Sequence, residues 1–310
     1  MDRERPLMEH LQELRVRVVK IAIAIGIITA ASIALGIKIF DLSGYQVPLP
    51  YPDPLNNIAI QTMFIMKENL LPENVSLIQI APGQAFFAQI YVAALLGVIF
   101  AMPVIVRELA AFISPGLHQR EKVTVKQIIA PAVGLFAIGC VFSYFVVIPY
   151  ILAFLYQYGE SIGVSTFLNI TEFVSFVMQF LIAFGLSFQL PIIMWATTVS
   201  EMVEPKFWRD NLRYAIIIIA VFGAVITPDG SGVTMWFVTG PMLILYVLGM
   251  LFIERKIKSQ KLTSDISEAD SNKLKDIAKS LGIDYTNKND DELRAEIEKT
   301  NQKKGFDELQ

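Results

Sequence analysis

Six apolar runs leave this chain few folds to choose from: residues 18–40, 86–106, 128–148, 173–199, 214–227 and 233–253. A bilayer core about 30 Å thick is crossed by roughly 20 apolar residues in a helix. Backbone whose polar groups are unpaired cannot face lipid, so such runs must be helical. The fold expected is an all-α polytopic membrane protein with six transmembrane helices. Charge is distributed accordingly. The last 57 of the 310 residues carry 12 Lys/Arg and 13 Asp/Glu, leaving 14 and 16 for the first 253. That partition excludes a soluble enzyme or a disordered chain and implies a membrane domain with a polar C-terminal tail. The single cysteine, Cys140, excludes an internal disulfide. A net charge of −3 gives no reason to expect a nucleic-acid partner.

Loop charge sets orientation. Arg3, Arg5, Arg15, Arg17 and Lys20 lie before or at the start of the first run; Arg107, Arg120, Lys122 and Lys126 lie in the loop between the second and third; Lys206, Arg209 and Arg213 in the loop between the fourth and fifth; Arg255, Lys256 and Lys258 open the tail. The intervening segments 41–85, 149–172 and 228–232 hold one cation between them, Lys67. Both termini are therefore expected in the cytoplasm, in a cytoplasmic-membrane protein. A cleavable leader is the competing reading of the first run, because Ala30 and Ala31 imitate a cleavage site. The run is long for a leader, and its removal would leave five spans with the termini on opposite sides. Pro103, Pro131, Pro149, Pro191, Pro228 and Pro241 fall in or at the ends of spans, which predicts kinked helices. The fifth span, 14 residues long, reaches only about 21 Å as a helix, so a short fifth helix is expected.

Few polar groups lie inside the spans, and no ionisable one lies at a span centre, as an ion-coupled carrier would require. Gln189 is the most notable, and an interhelical hydrogen bond is its simplest role. No His/Cys/Asp/Glu pattern suggests a metal, no P-loop a nucleotide, and no nucleophile–base pair an enzyme, so neither catalysis nor a cofactor is expected. On the cytoplasmic side Leu7, Leu11, Leu14 and Val18 recur at helical spacing ahead of span one. Glu13 and Arg17 stand four apart on that helix in the favourable order. Glu121 follows the turn Ser114-Pro115-Gly116 on the same side of the membrane. The bland reading of both acids is solvated ion pairing. The sharper one is that a ligand with two adjacent cations engages both.

The stretches HLQELRVR at 10–17, AFISPGLHQREK at 111–122, FSYFVVIPY at 142–150, SFVMQFLIAFGLSFQLPI at 175–192, ITPD at 226–229 and PMLILYVLG at 241–249 resemble TatC, the multi-spanning subunit of the twin-arginine protein translocase. The resemblance runs in order over residues 1–253. It implies a receptor for signal peptides with paired arginines, with Glu13 and Glu121 as the recognising carboxylates. His10, Arg15, Arg17, Phe112 and Pro115 fall on other sensitive positions; Asp229 and Pro54 match positions in the outer loops. Relatives often carry glutamate where Gln189 stands. Implied partners are single-span TatA-type subunits, TatB-type where present, further copies of the chain, and folded cargo. Implied energy is the proton gradient. Arginine suits this role, being always charged and offering carboxylates a planar fork.

Six helices about 10 Å apart enclose roughly 10 Å once a helix diameter is subtracted. A folded 100-residue domain needs about 30 Å, so partners must supply the conduit. A small-solute or ion carrier is the alternative function. Residues 254–272 read as a polar linker. Residues 273–310 read as a tail in which Leu274, Ile277, Ala278, Leu281, Leu293 and Ile297 suggest a small helix–extended loop–helix module.

Overall fold

The computed structural model describes residues 7–42, 45–72, 75–113, 119–163, 167–200, 202–227 and 232–268, together with Leu274, Lys279, Asn289, Glu292 and Leu293. Helix α1 (Leu7–Ala34) leads into a hairpin of β1 (Leu35–Leu42) and β2 (Tyr45–Pro52), then the short helix α2 (Ile58–Leu70). Strand β3 (Ser76–Ile78) precedes α3 (Gln84–Ile113) and α4 (Gln119–Phe142). A π-helical turn at Ser143–Val147 joins α4 to α5 (Ile148–Ser161). After β4 (Phe167–Asn169) come α6 (Ile170–Ser187), α7 (Leu190–Val199), α8 (Pro205–Asp210), α9 (Leu212–Ile226) and α10 (Val233–Glu268).

Five stretches are long and apolar enough to cross a membrane: Leu11–Ala34, Gln84–Phe112, Ile128–Ser161, Ile170–Val199 and Val233–Lys256. The apolar helix Leu212–Ile226 is shorter, at the place expected for the short fifth helix. Helix α1 lies along α3, which also meets α4 and α6; α10 packs on α7, α8 and α9. Phe136 of α4 and Phe173, Phe180 and Phe184 of α6 are fully buried, and Phe184 stacks obliquely on Phe142 of α4.

Proline explains two interruptions. Pro149 has no N–H to donate, and its ring crowds the carbonyl four residues back. Just before it the helix widens, and the Ile148 N–H bonds the Ser143 carbonyl five residues behind. Pro191 coincides with the break between α6 and α7. There the Gln189 N–H turns to the Leu186 carbonyl at 2.9 Å, so the Gly185 carbonyl loses its normal helical donor.

The all-α expectation needs correcting at the far end of the bundle, opposite Glu13. Residues 35–40, read as the end of the first span, leave the helix and pair with β2 in antiparallel register, Ile37 opposite Pro50 and Phe40 opposite Val47. Gly36 weakens helix, Ile37 and Ile39 are β-branched, and Gly36 lies where an added Cβ would strike the Asn56 carbonyl. The Ile37 N–H and C=O both turn to the Gln61 side chain on α2, at 3.4 and 3.1 Å. Ile37–Pro50 is thus a pair without mutual hydrogen bonds, so Pro50 directs its backbone to the free edge of β2. Pro48 and Pro52, two residues to either side, share that direction. A second, parallel pair, β3 with β4, ties the segment before α3 to the segment before α6.

Lys38 reaches Asp53 at 3.1 Å and lies over the Tyr51 ring at 4.5 Å. The lysine hydrogen bond and charge hold the Asp53 carboxyl below the usual carboxylate range. A depressed folded-state pKa stabilises above the unfolded value, about 3.9 for Asp, and that contribution disappears as pH falls through the folded value. A spin label at Gln46 should therefore gain mobility only at acid pH, and at every pH in Asp53→Asn. A pH-independent wild-type signal would reject this tether.

The segment read as a linker continues α10 as helix to Glu268. In the tail, Leu274 and Leu293 are fully buried. Ile277, Ala278, Leu281 and Ile297 of the proposed module lie outside the described residues.

Candidate functional site

Helices α1 and α3 run antiparallel in a register that can be followed contact by contact. Near the middle, Gly97 of α3 lies so close to α1 that an added Cβ would meet the Thr29 hydroxyl and approach the Ile25 carbonyl to 3.0 Å. Eleven residues later on α3, and eight earlier than Ile25 on α1, Glu108 meets Arg17. Three turns at 5.4 Å each separate the two levels by about 16 Å. The glycine contact thus lets the helices approach, and the approach delivers the charged side chains to one another.

The Arg17 guanidinium donates from Nε and Nη2 to Glu13 Oε1, at 3.2 and 2.5 Å, and from Nη1 to Glu108 Oε2 at 3.3 Å. Lys20 Nζ stands 4.0 Å from the same Glu108 oxygen. The side chain of Glu13 remains 20% exposed and that of Glu108 only 10%. Two carboxylates of unequal accessibility therefore share one guanidinium at the helix ends. The arrangement can bind a cationic group, and Glu13 is its more reachable acid.

Other predicted residues fall around this cluster to different degrees. Phe112 lies one turn beyond Glu108 on α3 and is half-buried. Arg15 is exposed on α1. The backbone of His10 belongs to α1 and that of Glu121 to the first turn of α4; their side chains lie outside the described residues, as do Pro115 and Asp229. Pro54 is at the far end, in the turn before α2, where its carbonyl accepts from Asn57 Nδ2 at 2.9 Å. Asn57 also caps α2 by accepting from the Ile60 N–H. Glu108 went unnoticed in the sequence. Its signal was an acid near the end of an apolar run, one helical turn before Phe112, at the depth where span one begins with Arg17.

Gln189 occupies the break between α6 and α7. Its Nε2 donates to the Ala132 carbonyl of α4 at 3.1 Å and to the Gly185 carbonyl at 3.4 Å. The second of these is the carbonyl orphaned by the break. One amide thus satisfies the helix end and joins it to α4. Gln189→Leu should cost about 1–3 kcal/mol by leaving those acceptors short of donors, read as a lower unfolding temperature. An unfolding temperature equal to wild type would reject that contribution.

Residues 9–241 match the family model described as Sec-independent protein translocase protein (TatC). The chain belongs to the TatC family. A TatC protein from Cenarchaeum symbiosum is 57% identical over 253 residues, covering 82% of this chain and 96% of the relative. Another, from Carboxydothermus hydrogenoformans, is 30% identical and spans 85% of this chain and 98% of its own. A crystal structure described as the twin-arginine translocase receptor TatC superposes with a TM-score of 0.65 at 27% identity, over 79% of this chain and 98% of that one. This TatC chain is accordingly a multi-span membrane protein of a protein-translocase family, and the match extends across the Glu13–Arg17–Glu108 cluster.

Proposed function

We propose that this chain is the signal-peptide receptor and core subunit of a twin-arginine translocase, with six spans and both termini in the cytoplasm. The observation that carries the reading is the partly exposed Glu13 carboxylate, already holding a guanidinium where α1 and α3 meet. Glu121, at the start of α4, supplies the second acid for a paired-arginine signal. A guanidinium binds a carboxylate through two parallel donors, which an ammonium cannot reproduce; this favours Arg-Arg over Lys-Lys. The apolar part of the signal then packs against the spans. The helix bundle is too narrow for folded cargo, so single-span TatA-type subunits, TatB-type where present, and further copies of this chain complete the conduit, driven by the proton gradient. The domain limits are 1–253 for the membrane unit, 254–272 for a polar linker and 273–310 for the tail.

The test is photocrosslinking of Arg-Arg and Lys-Lys signal peptides to inverted membranes holding the chain. Preferential labelling by Arg-Arg supports the receptor reading; equal labelling rejects it. Solute uptake by vesicles containing this chain alone would point to the carrier instead.

A further inference from the structure

We propose that Glu108 is a positioning residue that retains Arg17 when an incoming arginine takes Glu13. The inference rests on the reading of Glu13 as a docking carboxylate. The difficulty that Glu108 resolves is internal competition. Arg17 is tethered four residues from Glu13 on the same helix, and its Nε and Nη2 already engage Glu13 Oε1. A tethered guanidinium competes at an effective concentration far above that of any peptide in solution. If Glu13 were its sole counter-ion, docking would strand Arg17, whose side chain is only 19% exposed. Leaving a buried charge unpaired costs far more than exchanging one partner for another.

Glu108 changes that balance. It already accepts from Arg17 Nη1 at 3.3 Å, so the guanidinium has to rotate its remaining donors rather than find a new partner. Five N–H groups in a planar fork make such sharing possible. The two acids differ in the sense the exchange needs. Glu13 is the more accessible, for an external cation, and Glu108 is the more enclosed, for an internal one. Lys20, at 4.0 Å from Glu108 and well exposed, steadies the second acid without entering the fork. Glu108 thereby sets how tightly a signal binds without touching it.

The test is titration of an Arg-Arg signal peptide, by photocrosslinking, against the full chain in lipid nanodiscs for wild type, Glu13→Gln, Glu108→Gln, Arg17→Gln and the double variant Arg17→Gln/Glu108→Gln. Thermal unfolding of each is measured alongside. Removing Glu108 should leave Arg17 wholly on Glu13 and weaken signal binding by about tenfold. The double variant should bind like Arg17→Gln alone, because Glu108 acts only through Arg17. A merely structural Glu108 would lower the unfolding temperature and leave a binding defect that Arg17→Gln does not remove. Wild-type binding by Glu108→Gln, or unequal binding by Arg17→Gln and the double variant, overturns the proposal. The second comparison decides the matter even if Glu108→Gln fails to fold. Wild-type binding by Glu13→Gln would instead overturn the docking reading itself.

Discussion

Glu13→Ala and Glu121→Ala should each weaken binding of an Arg-Arg signal peptide by about 10- to 100-fold, the equivalent of roughly 1.5–3 kcal/mol for one charge-assisted hydrogen-bonded contact. The expectation follows from the chemistry of the pair. The Glu13 carboxylate is partly withdrawn from water, where charge attraction is stronger than in bulk solvent. Either truncation leaves one arginine of the doublet without its counter-ion. Two acids that grip one rigid dipeptide do not act independently, so the double variant should fall short of the product of the singles. Stability should change little in Glu13→Ala, because Arg17 keeps Glu108. Titration of crosslinking against peptide concentration reads the effect. Unchanged binding in both single variants would remove the receptor assignment.

The second large effect is expected at Gly97. Gly97→Val should destabilise the chain by about 1–3 kcal/mol or more, the usual cost of forcing added methyl groups into a packed interface. An added Cβ meets the Thr29 hydroxyl and comes within 3.0 Å of the Ile25 carbonyl, a backbone atom with little freedom to retreat. Helix α1 depends on α3 for most of its packing; only 6% of its apolar window is buried. Separating the pair therefore releases α1 and withdraws Arg17 from Glu108 three turns away. Thr29→Ala in the same chain should restore part of the loss, since it removes the hydroxyl but not the Ile25 carbonyl. Thermal unfolding in detergent, with signal binding measured in parallel, checks both halves. An unfolding temperature equal to wild type would show that the contact yields more easily than its geometry implies.

The helices were legible because a bilayer imposes a length and a polarity on whatever crosses it, and residues such as Phe86–Val106 can satisfy those demands in few ways. Pro149 and Pro191 marked helix interruptions for a reason intrinsic to the residue. The hairpin was not legible by the same criterion. Leu35, Ile37, Ile39 and Phe40 are as apolar as the helix before them, and hydropathy does not distinguish helix from strand. Gly36 and the alternation of Pro48, Pro50 and Pro52 carry that information instead. The candidate site was half legible. Glu13 and Arg17 are local partners at helical spacing, whereas Glu108 is 91 residues from Arg17. Only the antiparallel register of α1 on α3, governed by where Gly97 permits contact, brings it there. Family motifs pointed to Glu121 and Pro115 through resemblance rather than through any pattern of their own.

The hairpin opposite Glu13 has a consequence for chains that pass by it. Along β2, three successive outward positions are prolines and offer no N–H. Along β1, the outward groups of Ile37 are already taken by Gln61. The proline border therefore offers a visiting strand no N–H with which to extend the sheet. A polypeptide brushing past it finds apolar side chains to slide on but no row of donors to zip onto.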